Sequence, residues 1–168
     1  KKEKVDEQRK EIKRQLALLQ RSYIKGKMEM KPNRNFNHDA NSTLRVADGK
    51  VDGFSPVDGT IYDYGSTLDG VIAKGKLGVY DYVVPAKLEQ LWRAKDYGQY
   101  AASNGKMPVC FLASNHTSGG NSGSPLLNAN GELVGLNFDR CWESTMSDYM
   151  FDPDFCRNIS VDIRYVLF

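Results

Sequence analysis

The chain has 168 residues, 40% hydrophobic and 26% charged, which suits one globular domain with a real core and an appended element. Its net charge of +2 is too small to name a partner, and three irregularly spaced cysteines (Cys110, Cys141, Cys156) make no zinc pattern and allow at most one disulfide. No apolar run is long enough to cross a bilayer, which excludes a membrane-spanning helix.

Residues 3–24 predict a helix, with Val5, Ile12, Leu16, Leu19 and Tyr23 on one stripe and a charged opposite face. Residues 1–27 carry ten Lys/Arg against four Asp/Glu, a surplus of +6 that leaves −4 for the rest. No aromatic residues interleave with that basic face, so nucleic acid is not an expected partner. From about residue 40 the pattern becomes short β-like runs between turn signals. "STLRVA" and "KVDGFS" flank Asp48-Gly49, which predicts a hairpin. "TIYDY" (60–64) and "DGVIAK" (69–74) are weaker strand candidates. Pro85 opens a short helix carrying Leu88, Leu91 and Trp92. Then come "MPVCFLA" (107–113), a Gly/Ser loop, "ELVGLNF" (132–138) after an Asn130-Gly131 turn, and the alternating run "NISVDIRYVL" (158–167). About six short strands predict a small antiparallel barrel. The chain starts inside a charged helical pattern and stops on an apolar run without a closing turn, and so reads as a piece of a longer protein.

The Gly/Ser loop lies between strand patterns and runs into Pro125, so it reads as a tight turn rather than a tether. Its order, "GGNSGSP" (119–125), is that of a serine peptidase's nucleophile loop. There the N–H of the nucleophile and of the residue two before it converge on the oxyanion of the tetrahedral intermediate. Glycines serve such a loop through positive φ and the missing Cβ. Ser122 takes the nucleophile place, Gly120 and Ser122 supply the two N–H groups, and Ser124 stabilises the turn. The two histidines, His38 and His116, are not expected to be the base, and His116 reads as a wall or loop-stabilising residue. Without a base a serine hydroxyl is a poor nucleophile at neutral pH, so this chain alone is expected to be inert.

"GNSGSP", "NANGELVGLNFDR" and "ISVDIRYVL" resemble the C-terminal catalytic region of the bacterial dipeptidyl peptidases 7 and 11, and "DANSTLR" (39–45) and "AKDYGQYA" (94–101) extend the likeness. These are chymotrypsin-like serine exopeptidases with a helical domain inserted between two barrels. The resemblance implies that residues 1–38 are the terminal helix of that insertion and its junction. Residues 39–168 would be a six-stranded second barrel, incomplete at its C-terminus, with the triad His and Asp in the first barrel. It places the specificity determinant at Arg140, eighteen positions after Ser122, where dipeptidyl peptidase 7 has glycine and dipeptidyl peptidase 11 an arginine that selects Asp or Glu. A partly desolvated guanidinium pairs bidentately with a carboxylate and is stranded by an apolar substrate, which agrees. Asp139 would bind the substrate's free amino group. Adjacent strand residues point to opposite faces, however, so both reach substrate only where the strand bends or ends.

The implied activity is release of N-terminal dipeptides with Asp or Glu second, by a protein of the periplasm or surface of a Gram-negative bacterium. The implied partners are peptides with free N-termini, the parent chain's first barrel and helical domain, and a second copy in a homodimer. No metal or organic cofactor is implied. Two rival readings are a glutamate-specific endopeptidase sharing the loop and a peptide-binding module that has lost the chemistry. The endopeptidase would need neither the N-terminal helix nor "DANSTLR".

Overall fold

A computed structural model describes residues 2–34, 36 and 43–168. The chain divides into two compact units, 1–38 and 39–168. In the first, α1 (Lys2–Met30) runs six residues past the predicted end, and its Val5, Ile12, Leu16, Leu19 and Tyr23 stripe is exposed. Most of "DANSTLR", and His38, lie outside the described residues.

Among its described residues the second unit has five strands: β1 (Gly65–Thr67), β2 (Pro108–Ala113), β3 (Pro125–Leu127), β4 (Leu133–Arg140) and β5 (Asn158–Asp162). They form one antiparallel sheet in the order β1-β2-β5-β4-β3. The sheet is open, so the expected six-stranded closed barrel is corrected.

Three local reasons account for the difference. No hairpin forms at Asp48-Gly49, because Gly49 is not among the glycines with the positive φ that a type I′ turn needs. The segment pairs instead with the end of β2: Val51 bridges Ala113, and Lys50 N donates to Ser114 Oγ at 3.0 Å. Gly49 is needed for close approach, since a Cβ there would lie 2.5 Å from Asn115 N. Second, "DGVIAK" is helical, within α2 (Leu68–Gly75). Third, the last run keeps its β alternation only to Asp162, whose side chain accepts from Arg164 N and caps α4 (Ile163–Leu167). The helix after Pro85 forms as predicted, as α3 (Ala86–Ala94).

A core of Leu68, Ile72, Tyr97, Met107 and Val109 sits where α2 meets the start of β2, with Leu88, Trp92, Tyr165 and Phe168 packed on it. Trp92 Nε1 donates to Asp69 Oδ1 at 2.8 Å, and that bond, with help from Lys106, holds the Asp69 carboxyl below its ordinary range. Trp142 is 84% exposed, although a packing role is the ordinary expectation for a tryptophan.

One face of the sheet carries Phe111, Gly135, Asn137, Asn158, Ser160 and Asp162, which pair in register across β2, β5 and β4. Gly135 lies under the Phe111 ring, and a Cβ there would meet Val161 O at 2.6 Å and Phe111 Cε1 at 2.7 Å. Since the nearest atom is backbone, Gly135→Ala is expected to destabilise the full-length protein by about 1–3 kcal/mol. Urea unfolding checks this, and an unchanged midpoint would show that the sheet opens to admit the methyl.

Candidate active site

The loop between β2 and β3 is held from within and from β4. Asn121 organises it: its Oδ1 accepts from Ser118 N at 2.9 Å, and its carbonyl accepts from Ser124 N at 3.0 Å. The clamp from β4 is Asn137, only 4% exposed. Its carbonyl accepts from Gly123 N at 2.7 Å and its N–H donates to Ser124 O at 2.9 Å. Its side-chain amide donates to Asn121 O at 3.2 Å and accepts from Asn158 Nδ2 at 3.0 Å. Buried polar side chains that bond one another fix a single loop geometry more firmly than apolar packing would.

Gly120 and Gly123 adopt φ of 97° and 82°, a region costly for any residue with a Cβ. Gly123 and Ser124 thus have their N–H groups engaged, and Asn121 N donates to Ser118 O at 3.2 Å. Among the described residues, nothing accepts from the N–H of Gly120 or Ser122. Ser122 is exposed, and its Oγ donates to Phe138 O at 3.3 Å.

His116 is occupied elsewhere. Its Nε2 lies 3.1 Å from Ser147 O, which makes that nitrogen the protonated one, and its ring stands edge-on to Phe151 at 4.9 Å. That is the loop-stabilising role read from the sequence. The three cysteines are free thiols. Burial raises the Cys110 and Cys141 pKa values and keeps both protonated.

A β-bulge precedes Asp139 and Arg140. The β4–β5 register shifts between Asn137 and Asp139, so Phe138 is the extra residue, Asp139 pairs with Ile159 and Arg140 with Asn158. The bulge puts Arg140 on the same face as Asn137 and Asn158, a place that regular alternation would give to Asp139. Asp139 lies exposed on the other phase, its Oδ1 accepting from Arg140 N at 2.8 Å. The ladder is thus irregular just before the two residues, and their side chains still diverge.

The Arg140 guanidinium lies in a tight surface crevice lined also by Thr117, Ser147, Phe151 and Asn158. It is 23% exposed and pairs with Asp148, 43% exposed. Nη1 donates to Asp148 Oδ1 at 2.7 Å and to Ser147 Oγ at 2.8 Å, and Nη2 donates to Asp148 Oδ2 at 2.8 Å. A longer contact of 3.5 Å joins Nη1 to Thr117 O, at the start of the serine loop. Arg140 holds the Asp148 carboxyl below its usual range, so it stays ionised at neutral pH. The segment bearing Ser147 and Asp148, the 3₁₀ turn Trp142–Asp148, is anchored at Ser144, whose Oγ donates to Arg157 O and accepts from Arg157 N.

The sequence reading missed Asn137, Ser147, Asp148 and Asn158. A signal existed for Asn137, since Asn is depleted in strands and here it interrupts an apolar run. Nothing in the sequence tied Asp148 to Arg140, because the contact depends on the turn between them.

Among the described residues no group of side chains could hold a metal ion, and no helix is long and apolar enough to cross a membrane.

With this geometry in hand, comparison with known proteins gives the family. A family model described as Peptidase S46 matches residues 1–168, and the chain belongs to the peptidase S46 family. It is 56% identical over 158 residues to an Asp/Glu-specific dipeptidyl-peptidase of Flavobacterium psychrophilum, covering 94% of this chain and 22% of that protein. To dipeptidyl-peptidase 7 of Phocaeicola vulgatus it is 49% identical, covering 91% of this chain and 21% of that protein. The solved structure of Porphyromonas endodontalis DPP11 in complex with dipeptide Arg-Asp matches with a TM-score of 0.83 at 50% identity, covering 91% of this chain and 22% of that one. The chain thus spans about a fifth of the length of the relatives it matches.

Proposed function

We propose that the chain is the nucleophile-bearing part of a serine-type dipeptidyl peptidase that removes N-terminal dipeptides with Asp or Glu second. Ser122 attacks the carbonyl, the N–H groups of Gly120 and Ser122 receive the oxyanion, Arg140 takes the acidic side chain, and Asp139 attracts the substrate's ammonium group. The observation that carries the reading is that one short loop has two uncommitted N–H groups around an exposed serine while touching the Arg140 guanidinium at Thr117. Attack and side-chain recognition are thereby tied to one rigid piece, as catalysis by positioning requires. The names of the relatives point to the same substrates.

His116 is engaged with Ser147 and Phe151, so the base and its orienting carboxylate come from elsewhere in the parent protein. The chymotrypsin-like arrangement, with this sheet as part of a second barrel and α1 as the end of an inserted helical domain, supplies them from the first barrel. A periplasmic or cell-surface location follows from the resemblance to the same peptidases.

The test is a panel of fluorogenic dipeptides on the full-length protein, varying the second residue among Asp, Glu, Leu and Lys, with free and blocked N-termini. Turnover of free Asp and Glu substrates alone is expected. Cleavage of blocked substrates would show an endopeptidase, and preference for Leu would sink the role given to Arg140.

A further inference from the structure

An arginine that is to grip a substrate carboxylate must present two parallel N–H groups, and a guanidinium has five such hydrogens in a fixed plane. In Arg140 three of them are spent inside the chain. Asp148 takes the end-on fork through one hydrogen each of Nη1 and Nη2, and Ser147 Oγ takes the second Nη1 hydrogen. What is left is the Nε–H and the outer Nη2–H. These two lie side by side on one edge, parallel as the two oxygens of a carboxylate require, and form a second bidentate fork. Among the described residues nothing accepts from Nε.

We propose that Asp148 is a positioning residue for substrate recognition: by occupying the end-on fork it fixes the guanidinium plane and leaves the side edge as the receptor for the acidic side chain. This rests on the reading that Arg140 binds that side chain. The pair also leaves the site near neutral, so that no unpaired cation is stranded in it. An acidic substrate is then selected by its fit to a fork as well as by its charge.

Two effects of removing Asp148 oppose each other. Loss of a like charge would tighten binding of an acidic dipeptide, and loss of the fork would loosen it. Both Arg140 and Asp148 are partly exposed, so the like-charge repulsion is screened, while the need for aligned donors is not. Loosening should win.

The experiment uses the full-length protein with Ser122→Ala, titrated calorimetrically with the dipeptide Arg-Asp. Adding Asp148→Ala is expected to raise Kd about tenfold, the scale of one charge-assisted hydrogen bond. Asp148→Asn, which keeps an acceptor for Nη1 and the shape of the turn, should fall between. With Ser122 intact, Asp148→Ala should raise KM by the same factor and leave kcat within about twofold, a split that a general structural lesion would not give. Unchanged or tighter binding in both Asp148 variants would overturn the proposal. Adding Arg140→Ala separates the two readings. If Arg140→Ala weakens binding and the Asp148 variants do not, only the positioning role fails. If Arg140→Ala also leaves Kd unchanged, the recognition role of Arg140 fails and takes the positioning role with it.

Discussion

Replacing Ser122 by alanine in the full-length protein is expected to lower kcat for an Asp- or Glu-containing dipeptide substrate by about 10⁴- to 10⁶-fold, the range over which serine peptidases lose rate with their nucleophile. The fold should hardly register the change. The side chain is exposed, and its one described bond is a 3.3 Å contact with Phe138 O, so stability should stay within about 0.5 kcal/mol. The loop geometry is held by Asn121 and Asn137 rather than by the hydroxyl. The N–H groups at Gly120 and Ser122 therefore survive, and KM should move little. Steady-state kinetics on the substrate panel, with thermal unfolding alongside, measure both quantities. Retained turnover would place the nucleophile outside this loop.

That loop was the most legible part of the chain, because its chemistry is encoded in consecutive residues. "GGNSGSP" states where positive φ is needed, and the structure uses it at Gly120 and Gly123. The helix after Pro85 and the strands beginning at Pro108 and Leu133 were equally local, with period and punctuation agreeing. The failures share a different cause. Asp48-Gly49 satisfies a hairpin pattern, but Lys50 and Val51 found a better partner far along the chain in Ser114 and Ala113. A local turn preference lost to a tertiary strand contact. "NISVDIRYVL" alternates as a strand throughout, yet Asp162 can cap a helix, and the cap prevailed. A six-stranded count assembled from local patterns therefore overshot the five strands that pair.

The site divides along the same line. Arg140 and Asp139 were visible as residues, but the bulge at Phe138 that gives Arg140, not Asp139, the face of Asn137 and Asn158 was not, since a bulge is a mismatch between two strands and needs the partner's register. Asp148 was invisible for the same reason, its role depending on the 3₁₀ turn that brings it back to β4.

Arg140→Ala is the second large effect, expected to lower kcat/KM for Asp and Glu substrates by about 10²- to 10³-fold, or roughly 3–4 kcal/mol. Two losses combine in that figure. The substrate carboxylate loses its bidentate partner, and Asp148, now without Arg140, presents a bare carboxylate to an incoming anion. Because Arg140 is what holds the Asp148 carboxyl below its ordinary range, the variant should let Asp148 titrate nearer to an unperturbed aspartate, still ionised at neutral pH. Repulsion therefore persists at assay pH and should weaken as pH falls into the carboxylate range. The double variant Arg140→Ala/Asp148→Asn removes the repulsion without restoring the fork. It should recover part of the lost kcat/KM on acidic substrates, and a Leu substrate should gain relative to both single variants. Kinetics of the four proteins on Asp and Leu substrates form a cycle whose coupling is expected to be far from zero, as for any two residues sharing one ion pair. Additivity would mean that the guanidinium and Asp148 act apart during turnover, despite the fork that joins them.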